Sequence, residues 1–182
     1  MPAPEETALT LCRRDMLREL ARLLDCYGSD IRRAILGRSL LCSSRRDRRT
    51  TIYSYSGDIS IVNSLLSNKE QVRVVGIPVA ATTRHGLAPT LGMLSLIASL
   101  HLKPEKHYVV VAEPGATLFL YGRDVFKESV KELHVNPACD APPLIVLDEE
   151  HLPLGLGAVT RKRSQFLIRN VLDAGWYLRS GV

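Results

Sequence analysis

The chain has 182 residues, of which 46% are hydrophobic and 24% charged, with a formal net charge of +5. This is ordinary globular usage, with enough chain for one average domain or two small ones, so no disulfide scaffold or metal staple is needed to make a core. No apolar run approaches the roughly 18–20 residues of a membrane helix, and no basic segment followed by an apolar one opens the chain, so a cytoplasmic soluble protein is expected.

In chain order, residues 5–27 predict a first helix. Leu9, Cys12, Met16, Leu20 and Leu23 or Leu24 recur every three or four positions, with Arg13, Arg14, Arg18, Glu19 and Arg22 between them. Glu5 and Glu6 suit the start of that helix and Gly28 its end. A short helix or turn over 30–35, a strand at 40–42 and a basic turn at Arg45, Arg46, Asp47, Arg48 and Arg49 follow. Alternation over 50–56 predicts a strand with Tyr53 and Tyr55 on one face, where packing is expected over base stacking. Residues 59–66 read as a helix, 72–80 as a strand and 89–100 as an apolar helix. The loop Thr82–Gly86 between the last two carries Arg84 and His85, a pair suited to a phosphate or to a partner groove.

The pattern breaks at residues 100–106, which predicts two domains, 1–100 and 101–182. A clean strand at 108–112, a turn at Pro114-Gly115, a short strand at 117–121 and Gly122 come next. Val135 and 144–147 are strand-like around a loop at 136–143, and residues 148–151 form a polar hairpin turn. A strand over 153–160 holds Gly155 and Gly157 at an expected barrel bend, and a basic link at 161–164 leads to a strand over 167–171 and a final helical turn over 173–179. Short strands separated by turns point to a small barrel. The fold class is α+β: an N-terminal α/β domain with an antiparallel sheet flanked by helices, then a barrel-like C-terminal domain.

No catalytic constellation is present. Nothing matches a P-loop, a dinucleotide fingerprint, HExxH or GxSxG. His85, His101, His107, His134 and His151 lack ligand spacing, and Asp148, Glu149 and Glu150 read as solvated carboxylates. No enzyme activity, metal or cofactor is expected. Cys12, Cys26, Cys42 and Cys139 contain no CxxC and read as reduced, mostly buried thiols. Trp176 reads as a core anchor.

Charge is unevenly spread. Residues 1–98 carry 14 basic and 9 acidic side chains, 99–150 carry 5 and 9, and 151–182 carry 5 and 1. Of the 24 basic residues 18 are Arg, the side chain that best forms bidentate phosphate contacts. The basic tail comprises Arg161, Lys162, Arg163, Arg169 and Arg179.

Residues 116–125, 152–158 and 168–179, including Phe119-Leu120-Tyr121-Gly122 and Pro153-Leu154-Gly155-Leu156-Gly157, give the chain a specific resemblance. Together they resemble the archaeal form of the Nip7 family of ribosome-biogenesis proteins, with a UPF0113-type N-terminal domain and a C-terminal PUA pseudo-barrel. The resemblance is good over residues 108–180 and loose over 1–100. It implies a non-enzymatic RNA-binding adaptor in large-subunit rRNA processing, with RNA and ribosome-biogenesis or exosome proteins as partners and neither DNA nor membrane. A uridine-rich single strand is the expected type of RNA. Arg169 sits at a basic position of the family pattern, whereas Gln165, Phe166 and Leu172 stand where some relatives are basic and Trp176 where relatives often carry Glu. The implied RNA contacts are Arg161, Lys162, Arg163, Arg169 and Arg179, with Phe166 for stacking or packing. Arg45, Arg46, Arg48, Arg49 and Arg84 form a secondary basic patch. Two other readings are a protein-interaction scaffold of an RNA-processing complex and an accessory protein of an RNA-modification system.

Overall fold

A computed structural model describes residues 8–44, 49–67, 74–139, 142–162 and 165–179. The front half is one antiparallel meander. Strands β1 (Ala8–Leu11), β2 (Ser39–Ser44), β3 (Thr50–Tyr55), β4 (Ile77–Thr83) and β5 (Gly86–Pro89) lie side by side in that order. Helices α1 (Arg14–Asp25) and α2 (Ser29–Leu36) precede β2, α3 (Ile59–Ser67) follows β3, and α4 (Leu91–Ser99) follows β5.

The sheet is covered on both faces, and strand alternation divides its side chains between them. Cys42, Ile52 and Ala80 face the core made with Leu20, Leu24, Ile31, Ile35, Met93 and Ile97 of α1, α2 and α4, and Val79 joins it where the β3–β4 register shifts by one residue. Leu41, Tyr53 and Tyr55 pack on the other side with Leu9, Val62 and Ile59. The tyrosines therefore serve packing, as expected.

The back half begins with β6 (Tyr108–Val111) and α5 (Glu113–Leu120). It continues with β7 (Val125–Phe126), a 3-10 turn (Lys127–Ser129) and β8 (Val130–His134). Strands β9 (Leu144–Leu147), β10 (Pro153–Lys162) and β11 (Gln165–Asp173), then α6 (Trp176–Arg179), complete it. The six strands form a curled half-barrel in the order β7-β11-β10-β9-β6-β8. Only β6 and β9 run parallel; the other pairings are antiparallel. Helix α5 plugs the curl with Ala116 and Phe119 against Val109, Val111, Val125, Leu144, Val146, Leu154 and Ile168.

The β6–β9 pair explains its own sequence. Tyr-Val-Val-Val and Leu-Ile-Val-Leu are unbroken apolar runs because both faces of the parallel pair are buried. Val109, Val111, Leu144 and Val146 face the curl, while Val110, Ile145 and Leu147 join the core of the front half. The largest core thus crosses the break at residues 100–106.

A polar clamp reinforces that crossing. The Tyr27 ring is buried, and its hydroxyl donates to the Pro143 carbonyl at 2.7 Å. Glu105 caps α2, accepting from the Ser29 and Asp30 backbone N–H groups at 2.8 and 3.3 Å. Gly28 has φ +134°, and a Cβ there would crowd Glu105 Cδ at 2.8 Å. Buried His107 accepts the Asn136 N–H at Nδ1, 3.2 Å away, which leaves Nε2 to donate to the Pro142 carbonyl at 2.9 Å. Burial lowers its pKa, and the arrangement suits the neutral ring.

Several expectations change. The first helix is shorter, because Ala8–Leu11 pairs with β2 as an edge strand. The turn and strand expected over 114–121 are helix α5, whose Pro occupies the first turn, where its missing N–H removes no helical bond. Strand β4 begins at Ile77 and runs on to Thr83, and a two-residue turn, Arg84-His85, joins it to an unexpected β5. Trp176 is half exposed and does not anchor a core. The cysteines are paired: Cys12 bridges Cys42 and Cys26 bridges Cys139. The second bridge lies beside Tyr27 and covalently joins the two halves across 113 residues. No helix among the described residues is long and apolar enough to cross a membrane.

Candidate nucleic-acid interface

The last hairpin carries most of the predicted contact residues. Arg161 lies opposite Phe166, Lys162 opposite Gln165 and Arg169 opposite Ala158. Within β11, Phe166 and Ile168 point into the curl and Leu167, Arg169 and Val171 point out, as a period of two requires. Arg169 and Phe166, three residues apart, therefore fall on opposite faces. Phe166 packs partly against the inner core, with Lys127 Nζ 6.0 Å from its ring centroid. Its ring is occupied by packing and a long cation contact.

Arg169 has different company. Strand β7 pairs with the free edge of β11, so Phe126 lies beside Leu167, and Leu167 lies beside Thr160 on β10. The outer face thus sets a row of Phe126, Leu167 and Thr160 next to a row of Arg169 and Ala158. Phe126 is 56% exposed and Val171 47%. An exposed ring and an exposed guanidinium on one strand surface can stack on a base and neutralise a phosphate.

The strand is locked to the end of α5. The Asn170 side chain donates to the Phe119 carbonyl at 2.7 Å, and Asp124 accepts the Asn170 backbone N–H at 2.9 Å. This pins residues 121–124, including exposed Tyr121 and Arg123, beside β11. Gly155 and Gly157 allow the underlying bend. The β10 register shifts between Pro153 and Gly155 against β9 and between Leu156 and Gly157 against β11, and a Cβ at Gly157 would approach Ile168 Cγ2 to 2.6 Å and Val146 Cγ2 to 2.9 Å.

Arg179 stands apart from the other basic tail residues. Its guanidinium forms a fork with buried Asp173, at 2.9 and 2.8 Å, and also donates to the Leu120 carbonyl. The Asp173 hydrogen bonds raise its pKa further. It borders a mostly apolar cleft of about 410 Å³ lined by Thr117, Leu120, Tyr121, Ala174 and Gly175. In this geometry Arg179 orients α6 and the cleft wall. Arg163 lies outside the described residues.

The secondary patch is dispersed. Arg45, Arg46 and Arg48 lie outside the described residues, and exposed Arg49 precedes β3. Arg84 is at the β4–β5 turn, where its Nε donates to His85 Nε2 at 2.9 Å. Sequence reasoning missed Phe126. A two-residue strand shows no readable alternation, and only its place beside β11 brings the ring next to Arg169. Among the described residues, no group of three or more His, Cys, Asp or Glu is placed to hold a metal ion.

Known proteins agree with this architecture. Residues 107–182 match the family described as the UPF0113 PUA domain, so the match falls on the C-terminal half. Over 106 residues the chain is 28% identical to a UPF0113 protein of Aeropyrum pernix, which covers 58% of this chain and 57% of that relative. Among solved structures, a conserved PUA domain protein from Thermoplasma acidophilum aligns over 95% of this chain and 99% of its own, at 15% identity and TM-score 0.57. A hypothetical protein from the hyperthermophilic archaeon Pyrococcus horikoshii aligns over 94% and 99%, at 15% identity and TM-score 0.54. A PUA domain protein from Aeropyrum pernix, solved as a tartrate complex, aligns over 96% and 91%, at 14% identity and TM-score 0.50. The half-barrel, its α5 plug and the match over residues 107–182 agree: this part of the chain is similar to the UPF0113 PUA domain, a fold generally associated with RNA binding.

Proposed function

We propose that this protein is a non-enzymatic RNA-binding adaptor of Nip7 type, acting in large-subunit ribosome biogenesis and rRNA processing. One observation carries the reading: on the outer face of the PUA half-barrel, exposed Phe126 shares a strand surface with exposed Arg169. Arg169 would neutralise a phosphate on that face, Arg161, Lys162 and Arg163 would add cations from the same stretch of sequence, and Phe126 would receive an unstacked base. Arg179 would act by holding the cleft wall. Residues 1–100 and 101–182 are the two proposed domains, the first meeting exosome or other processing proteins. A cytoplasmic location is compatible with the two disulfides, since intracellular proteins of hyperthermophiles are often disulfide-rich and one structural relative comes from such an organism.

The test is binding of a uridine-rich single strand across a salt series. Replacing Arg161, Arg163 and Arg169 by Ala should lower the slope of log affinity against log salt by about 0.7 per lost contact. Phe126→Ala should weaken binding by about 1–3 kcal/mol and leave the slope in place. Unchanged affinity of both variants at every salt concentration would overturn the assignment.

A further inference from the structure

We propose a second RNA contact on the opposite half of the molecule: an arginine ridge on α1, formed by Arg14, Arg18 and Arg22 with Arg84 nearby, that grips the phosphate backbone. It extends the reading above to a footprint that spans both halves, and it rests on that reading only for the identity of the polyanion as RNA.

The three helical arginines are exposed and recur every four residues, a rise of about 6 Å per step along one side of the helix. None of them makes an ion pair with a described residue. The acidic residues of the same helix are all engaged elsewhere. Asp15 pairs with Arg13 at 3.3 Å and Asp25 with Arg32 at 3.2 Å. Glu19 turns to the sheet, where it accepts the Leu87 backbone N–H at 3.2 Å. Among the described residues, this row of surface cations has no ion-pair partner.

Helix stability does not favour this arrangement. Arg14 occupies the first turn, where the helix dipole disfavours a cation, and Arg13 fills the N-cap position without making a capping bond. Like charges four apart repel. A sequence selected for the helix alone would place Ser or Asp at the cap and alternate its charges. The Glu19–Leu87 bond also holds the β4–β5 hairpin beside the middle of α1. Arg84 lies three residues from Leu87, within about 10 Å of chain, so the basic turn is near α1.

The composition of the ridge selects its ligand. Protein interfaces are centred on apolar and aromatic side chains. Neither α1 nor α2 exposes a large hydrophobic residue; those on the molecular surface lie elsewhere. Regularly spaced guanidinium groups with no apolar centre suit the repeating charge of a phosphodiester chain.

The test uses the full chain, a long uridine-rich single strand and a salt series. Three variants are compared: Arg14, Arg18 and Arg22 all changed to Gln, all changed to Lys, and Arg169→Ala. Gln keeps helix propensity and removes repulsion, so the unfolding midpoint should hold or rise. The Gln variant should bind at least about tenfold more weakly at low salt, with a slope smaller by about 2, while the Lys variant keeps the slope. If the Gln variant matches wild type while Arg169→Ala weakens binding, the ridge proposal falls and the half-barrel reading stands. If the Gln variant weakens binding and Arg169→Ala does not, the ridge stands and the half-barrel face falls. If wild type ignores the RNA strand but binds polyglutamate through the same arginines, an acidic protein is the partner and the RNA assignment is overturned.

Discussion

The Tyr27 clamp at the junction of the halves gives the sharpest test of the fold. Tyr27→Phe deletes one hydroxyl and leaves the Pro143 carbonyl without its 2.7 Å donor. Removing one partner of a buried hydrogen bond costs about 1–2 kcal/mol at neutral pH. The pH dependence then separates this bond from ordinary packing. Burial holds the Tyr27 phenol well above its usual pKa of 10.0. Above pH 10 the unfolded chain releases that proton while the folded chain keeps it, so the unfolded state binds fewer protons and wild-type stability falls with pH. For this one group the loss is under about 1 kcal/mol at pH 10 and about 1–2 kcal/mol at pH 11. Phe has no proton to lose, so the deficit of the variant should shrink from pH 8 to pH 11 and nearly close. Denaturant unfolding of both proteins at matched pH measures the gap. A gap that stays constant from pH 8 to pH 11 would show that the Tyr27 hydroxyl is solvated in the folded protein and would refute the clamp.

Two further outcomes follow from the same junction and from the half-barrel. Changing Cys26 and Cys139 together to Ala opens a loop of 113 residues and should lower stability by about 4–5 kcal/mol in oxidising buffer, where the first bridge persists; a loss below about 1 kcal/mol in denaturant unfolding would show that the pair is not bridged. Gly157→Ala drives a methyl against Ile168 and Val146 and should cost about 1–3 kcal/mol, read as a shift in unfolding midpoint, whereas a neutral result would mean that the bend can relax.

Much of the local structure was legible before any coordinates. The apolar spacing of α1, the alternation of β3 and the unbroken runs of β6 and β9 determine their elements, because each period matches a geometry that can bury its apolar side. The glycines of β10 and the basic tail were also readable, as was the α+β class with its barrel-like end. Segment 113–120 was not, since Pro-Gly in a short apolar stretch reads equally as a turn and only docking inside the curl selects a helix. Cysteine pairing was equally hidden: Cys26 and Cys139 are distant in sequence, and only the packing of the second half onto α1 and α2 brings them together.

Charge shows the same division. The sequence by itself determined an excess of five positive charges placed in the front half and in the last thirty or so residues. Tertiary structure decided what each cation can do. Arg179 is neutralised by Asp173, Arg13 and Arg32 by aspartates, and Arg169 is set beside an exposed aromatic ring. Arg14, Arg18 and Arg22 make no ion pair with a described residue, and Glu19 turns toward the sheet. The physical reason is distance: charge counts follow from composition, but Coulombic pairing depends on separations of a few ångströms that only the folded chain creates.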